Sequence, residues 1–459
     1  MIGAWTTGRI AEMTGGELHG DAEVAVHSVV IDSRESGPGA LFIGLKGDKA
    51  DGADFAGDAV ARNAAAVLTA RRVPGIEAVQ IVCADTLVAL QRLAAENRSR
   101  FCGSVAAVTG STGKTTTRRL IAAVSGASAR TLEPEKNYNN HIGVPLTLLH
   151  LTPEHERAVL ELGCSDFGEI ALLARLAQPE VAIVTNVGPA HLEKLGSLDG
   201  VARAKGELFA GLGAGATAVV NLDDLRVAAM PTAGAKTLTY GAAPRAEVRL
   251  LERRARGAAG QTVSARVFGR DVDLEIALAG RHNAANAVAA VATGLALGCT
   301  IEDAARGLAA VAAVPGRLYV CRGARGTVVI DDTYNANPSS MGAALEALEA
   351  LAPAGRRIAV LADMLELGAS SAAAHQGVGR AAARIDLKRL VTFGDGGRRL
   401  GEAAVEAGLR AESWRHVDGH DEAGVAALEP AKPGDAILIK GSRGMRMENV
   451  VRAVRESEE

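Results

Sequence analysis

The chain predicts an α/β protein of three domains, and three observations carry that reading. Its 459 residues exceed what one core ordinarily holds and suit about three domains. Short continuous apolar runs of strand length alternate with helix-forming stretches, the pattern of parallel strands buried on both faces. One such run, Val105 to Thr109, passes through a glycine turn into Lys114-Thr115 and then into helix-forming sequence.

Residues 1–83 read as a small α/β domain. Val29 to Arg34 and Ala40 to Leu45 are short apolar runs, Ala59 to Ala66 is helical in character, and Ala65 to Thr69 reads as a further strand. From Asp85 a helix-period run through Leu87, Leu90, Leu93 and Ala94 leads toward the glycine turn, which places a boundary near 84. Residues 84–313 form the central domain, a mononucleotide-binding unit with a mostly parallel sheet. Its further strands are Arg157 to Leu162, Val181 to Thr185 and Ala216 to Val220, and an Ala-rich helix runs from about His282 to Leu297. Residues 236–278 hold short alternating segments that read as a small antiparallel appendage. Pro315-Gly316 marks a second break, so residues 314–459 are the third domain. Its strands Thr327 to Asp331, Arg357 to Leu361, Arg389 to Phe393 and Asp435 to Ile439, separated by helical stretches, predict a Rossmann-like sheet with its ligands at the strand ends.

Composition narrows the function classes. A net charge of −3 provides no electrostatic footprint for a nucleic acid or a bilayer, and aromatic residues are too few for base-stacking platforms. The five cysteines are scattered without a C-x-x-C pair, so they read as small reduced core residues of a cytoplasmic protein. No basic-then-apolar N-terminal signal and no long uncharged apolar run point to secretion or membrane spanning.

The glycine turn is the strongest chemical signal. In Thr109-Gly-Ser-Thr-Gly-Lys-Thr-Thr116, Gly110 and Gly113 let backbone N–H groups turn inward around a phosphate, with Ser111 and Thr112 between them. Lys114 can reach the terminal phosphates, and the Thr115 hydroxyl can hold Mg²⁺. The loop is not the usual Gly-x-x-x-x-Gly-Lys-Thr but a shorter Gly-x-x-Gly-Lys-Thr, preceded by Thr109. It predicts a nucleoside triphosphate, with a structural turn and surface lysine as the bland alternative.

Other segments are weaker taken alone. Glu161 falls near the end of a buried strand, where a carboxylate is either paired or bound to a metal. His191 sits in the loop Thr185-Asn-Val-Gly-Pro-Ala-His191, either facing a ligand or satisfied by backbone. Lys205, in Val201-Ala-Arg-Ala-Lys-Gly-Glu207, reads by itself as a helix-surface lysine. The amide-rich Asn137-Tyr-Asn-Asn-His-Ile-Gly-Val-Pro145 suits sugar or peptide recognition, or plain turn chemistry. Gly280 to Asn286 and Asp331 to Pro338 fall at a helix start and a strand end, where polar groups either reach ligands or cap the backbone.

In their order along all three domains, these segments resemble the Mur ligase family, ATP-dependent enzymes that extend the peptide of the bacterial cell-wall precursor. Thr109 to Thr116 resembles its ATP loop, and Asn186 to His191, Lys205, His282 to Asn286 and Pro315-Gly-Arg317 match further family positions. Asn139 to Pro145, Gly188 to Glu193, Ala202 to Glu207, Asp331 to Pro338, Asp363-Met-Leu-Glu-Leu-Gly368 and Lys440-Gly-Ser-Arg-Gly444 are most similar to one branch. That branch joins D-alanyl-D-alanine to a UDP-N-acetylmuramoyl-tripeptide. Near the N-terminus, Asp32-Ser-Arg34 and Leu41 to Asp54 resemble the family's UDP-binding domain. Cys164 and Ser165 after the Glu-x-Gly motif, and Ala53 where histidine is common, depart from the pattern.

The resemblance implies a carboxylate activated as an acyl phosphate, with ATP split to ADP, and then captured by an amine. It implies that Lys205 is carbamylated and, with Glu161 and His191, holds a second Mg²⁺ beside the one on Thr115. Lys114, Glu161, His191 and Lys205 are then the expected catalytic set. Thr109 to Thr116 with Asn286, Arg317 and Asp331 would bind nucleotide, which requires the third domain to close. Ser33, Arg34, Lys46, Asn137, Asn139, Asn140 and Asn186 are the expected precursor contacts. A cytoplasmic monomer is expected. The rivals are a sibling ligase adding a diamino acid to the dipeptide precursor, a folyl-polyglutamate ligase and a non-catalytic ATP-binding scaffold. The sibling's Asp-Asn-Pro-Arg segment is absent, and the four expected catalytic side chains are all present.

Overall fold

The computed structural model describes residues 1–47, 50–134, 137–256 and 259–455. Three sheets divide the chain. The first has five strands in the spatial order Glu17–His19, Val79–Val82, Ala66–Thr69, Ala40–Ile43 and Ser28–Val30, parallel except for the first. The expected helix at 59–66 is shorter and earlier, at Ala56–Ala61. Asn63 turns left-handed (φ 65°) directly after it, and Ala66 already belongs to a strand.

The central sheet has nine strands, in the order Arg270–Ile276, Gln261–Val267, Val248–Ala255, Lys236–Gly241, Thr217–Asn221, Val181–Val184, Ser104–Thr109, Arg157–Glu161 and Thr131–Leu132. The expected separate appendage at 236–278 is not separate. Lys236–Gly241 pairs in parallel inside the sheet, and the next three strands extend its edge as an antiparallel meander. Alternating burial along Gln261–Val267 explains the alternating sequence, because one face covers the core and the other meets solvent. The third sheet runs Tyr319–Gly323, Thr327–Asp332, Ala436–Lys440, Arg357–Ala362, Leu387–Phe393 and Trp414–Val417, parallel after the first strand. The central strands of all three sheets are nearly continuous apolar sequence because helices cover both faces.

One apolar core runs without a break from the first sheet into one face of the central sheet. Helix Thr86–Ser99 joins them, capped by the Asp85 carboxylate, which accepts from Leu87 N and Val88 N. Arg92 on this helix donates to Thr14 O, and Asn97 donates to Leu148 O and Leu151 O. The C-terminal domain has its own two apolar clusters, one on each face of its sheet. No helix among the described residues is long and apolar enough to cross a membrane. The described cysteines are all free, but only Cys83, Cys164 and Cys299 are buried, whereas Cys321 is partly covered and Cys102 is exposed.

Candidate active site

The strand Ser104–Thr109 is buried along almost its whole length and delivers the glycine loop to the sheet edge. Helix Lys114–Gly126 starts directly after Gly113, which sits at φ 79°. A Cβ on Gly113 would come within 2.8 Å of Asn286 Oδ1, and one on Gly110 (φ 151°) would overlap Thr185 Oγ1. Glycine is therefore required at both positions. The loop is braced from the neighbouring strand end. Asn186 Oδ1 accepts from Thr112 N at 3.0 Å and Thr112 Oγ1 at 3.1 Å, while Thr185 Oγ1 donates to Thr112 O at 2.7 Å. Ser111 Oγ exchanges hydrogen bonds with Gly188.

A cavity of about 720 Å³ opens over this loop, between the central and C-terminal domains. Ser111 to Thr116, Asn137, Asn139, Asn140, Glu161, Asn186, His191, Asn286 and Arg317 all line it, so most of the expected site converges. Lys114 Nζ donates to Gly110 O at 2.8 Å, and burial in the cleft holds its ammonium below the usual range against the pull of Glu161. Glu161 ends the strand Arg157–Glu161 with 3% of its surface exposed, accepts from Asn139 Nδ2 at 2.9 Å, and has Arg118 Nε 3.9 Å away. Arg118, whose Nη1 also bonds Glu133, is a site residue that the sequence reading missed.

His191 caps the short helix Leu192–Leu195 in a left-handed conformation (φ 51°), with Glu366 Oε2 3.5 Å from its Nδ1. Burial lowers its pKa, and Lys114 and Lys205 add to that while Glu366 opposes it. Lys205 is not on the helix surface. It is 2% exposed behind the cavity wall, its Nζ 3.8 Å from Cys164 Sγ, and burial, reinforced by the charge of Lys114, pushes its pKa down to about 8. A lysine buried with no carboxylate partner among the described residues is costly as an ammonium.

Other expected residues lie outside the cavity or are bonded to protein groups at its wall. Thr109 does not line the cavity; it is fully buried, with its hydroxyl donating to Leu162 O. Asp331 does not line it either. Its carboxylate accepts from Gly316 N at 2.8 Å and from Thr333, bracing the turn that carries Arg317. Asp332 takes the wall position and pairs with the buried Lys440 at 2.6 Å. Arg317 lies over the Tyr334 ring at 3.9 Å, a partner the sequence did not single out. Asn186 lines the cavity with its side-chain amide bonded to Thr112, which stiffens the loop. Ser33, Arg34 and Lys46 are in the N-terminal domain outside this cavity, Ser33 buried and Arg34 exposed on Asp32.

Comparison with known proteins finds three family models along the chain. The Mur ligase middle domain matches residues 108–294, the Mur ligase glutamate ligase domain matches 316–443, and the Mur ligase family catalytic domain matches 25–98. This chain belongs to the Mur ligase family. Among its Mur relatives, the UDP-N-acetylmuramoyl-tripeptide–D-alanyl-D-alanine ligases of Escherichia coli (strain K12) and Bacillus subtilis (strain 168) are each 37% identical, over 98% of both chains. A crystal structure of MurF from Acinetobacter baumannii superposes with a TM-score of 0.89 at 32% identity, covering 98% of each chain. The MurF ligase of Thermotoga maritima in complex with ADP gives 0.83 at 27% identity, covering 93% of this chain and 97% of that one.

Proposed function

We propose that this Mur ligase joins D-alanyl-D-alanine to the terminal carboxylate of a UDP-N-acetylmuramoyl-tripeptide, splitting ATP to ADP and phosphate. The observation that carries the reading is the shared chamber: the phosphate loop, the Asn137–Asn140 turn, Glu161 and the C-terminal Arg317 all face one cavity. Full-length likeness to D-alanyl-D-alanine-adding relatives supports the choice of substrates.

The chemistry follows from charge. A carboxylate and a γ-phosphate repel, so the chamber must concentrate positive charge where they meet. Lys114, its ammonium already at the loop, is the cation for the β/γ oxygens. Asn286 and Arg317 hold the nucleotide from the central and C-terminal sides, and Asp331 fixes the Gly316 turn on which Arg317 rides. The acceptor carboxylate attacks the γ-phosphorus, ADP leaves, and the amine then displaces phosphate from the acyl phosphate through a tetrahedral intermediate.

The donor set fits magnesium. Glu161 is a buried carboxylate with one amide donor and a distant guanidinium, which leaves it room for a cation. Lys205, with its pKa lowered to about 8 by burial, holds a far larger fraction of neutral amine near neutral pH than a free lysine does, and that amine can add CO₂ and release a proton. The Lys114 charge that penalises its ammonium would favour the resulting carbamate. Thr115 would hold one ion, and Glu161, His191 and carbamylated Lys205 a second. Bound there, magnesium neutralises charge between the acceptor carboxylate and the phosphate.

Ser33, Arg34 and Lys46 are assigned to the uridine diphosphate end of the precursor, and Asn137, Asn139 and Asn140 to its peptide end. The domain divisions near 84 and 314 belong to this reading, as does a cytoplasmic monomer. Phosphate release is measured with ATP and the UDP-tripeptide, adding D-alanyl-D-alanine, a diamino acid or glutamate in turn. Only the first should give release. In that assay Lys205→Ala should lose activity and regain part of it with a short-chain carboxylic acid; release that depends on the diamino acid or glutamate instead overturns the substrate choice.

A further inference from the structure

The segment Asp363–Gly368 is an arm of the C-terminal domain held firmly from within. Asp363 Oδ1 accepts from Gly397 N at 2.7 Å, Met364 N donates to the buried His375 Nε2 at 2.9 Å, and Leu365 N donates to Ser442 Oγ at 2.9 Å. Its tip crosses to the central domain. There Glu366 lines the cavity with its carboxylate 3.5 Å from His191 Nδ1, and Gly368 lies against Glu193, two residues beyond that histidine.

Both facing residues are left-handed without being glycine, Glu366 at φ 63° and His191 at φ 51°. Such conformations are strained for residues with a Cβ and persist where surrounding structure holds them. A neutral imidazole carries one ring proton, and the nitrogen facing a carboxylate keeps it. We propose that Glu366 is a positioning residue for His191: docking of the C-terminal domain brings its carboxylate to Nδ1, holds the ring proton there, and leaves the Nε2 lone pair for the site. His191 thereby becomes ready only when the domain carrying Arg317 has closed. This rests on the ligase reading, since it assigns His191 a working Nε2.

The test pairs ¹⁵N-histidine NMR with steady-state kinetics on the full chain, comparing wild type, Glu366→Gln and Glu366→Asp. A His191→Asn variant assigns the resonances, and a non-hydrolysable ATP analogue with UDP-N-acetylmuramoyl-tripeptide drives closure. Wild type should show His191 protonated at Nδ1, and Glu366→Gln a mixture of tautomers. The kcat of Glu366→Gln should fall on the order of 10- to 100-fold, the usual cost of removing a carboxylate behind a working histidine. Its KM for ATP should stay within about twofold, and Glu366→Asp should recover part of kcat. An unchanged tautomer, or a kcat within about twofold of wild type, overturns the proposal. Failure of the ligase reading is seen separately, as wild type releasing no phosphate in response to D-alanyl-D-alanine while the tautomer difference remains.

Discussion

The two domain junctions are built differently. Between the N-terminal and central domains a single apolar core is continuous, and helix Thr86–Ser99 bonds to both sides through Arg92 and Asn97. Between the central and C-terminal domains the apolar clusters are separate, and His191 meets Glu366 as a polar pair. Apolar continuity resists motion, whereas a polar junction resembles a transient interface. On the proposed reading, the surface assigned to the precursor is welded to the phosphate loop, and the half carrying Arg317 and Glu366 would arrive by closure. Within the welded half, the loop is braced strand to strand by protein groups.

The sharpest way to break this contrast is Gly110→Ala. Its Cβ would overlap Thr185 Oγ1 at a φ that side chains rarely adopt, so the loop must shift against its brace. Misplacing reacting groups by about 1 Å can cost on the order of 100-fold. ATP-dependent phosphate release should fall at least that far, with ATP affinity falling too, as measured by kinetics and calorimetry. Near-normal turnover would mean that the loop is not preformed.

Lys205→Met probes the same half through stability. The folded-state pKa of Lys205 lies near 8, against 10.5 for a free lysine. A depressed lysine pKa means that the folded chain binds fewer protons between those values, so wild-type stability rises with pH across that window. Below pH 8 the full cost is present, a few kcal/mol at about 1.4 per unit. In carbonate-free buffer the variant should therefore melt higher than wild type at pH 7, and the gain should fade toward pH 10.5. A gain that is flat with pH would place the effect in packing instead of charge.

How much of this was legible in the sequence follows the same division. The loop Thr109 to Thr116, Glu161 at its strand end and the three-sheet plan are local patterns, and the structure places them as read. Lys205 was opaque to periodicity, since its neighbours on Leu198–Ala210 read like any amphipathic helix; the family resemblance alone lifted it from the surface. Thr109, Asn186 and Asp331 read from the sequence as ligand contacts, and the structure gives the side chain of each a protein partner. Spacing identifies polar groups near a site without saying whether another strand has already satisfied them. Tyr334 under Arg317 depends on how the Gly316 turn folds back within the C-terminal domain, and Glu366 beside His191 depends on which domains meet, although Glu366 lies inside a segment that resembles the family.

Arg317→Ala examines the arriving half and carries the smallest expected effect. The guanidinium rests on Tyr334 and borders the cavity, but it belongs to no apolar cluster that joins the domains. Its removal should leave the melting temperature within about 1 °C, as for a residue outside a packed core. The KM for ATP should rise on the order of tenfold, equivalent to about 1.4 kcal/mol, a magnitude typical of one charge-assisted hydrogen bond to a ligand. The contrast with Gly110→Ala is the informative quantity. If Arg317→Ala also lowers the melting temperature by several degrees in the absence of nucleotide, the two halves are already locked together in the free protein, and closure is not what brings Arg317 to the phosphate loop.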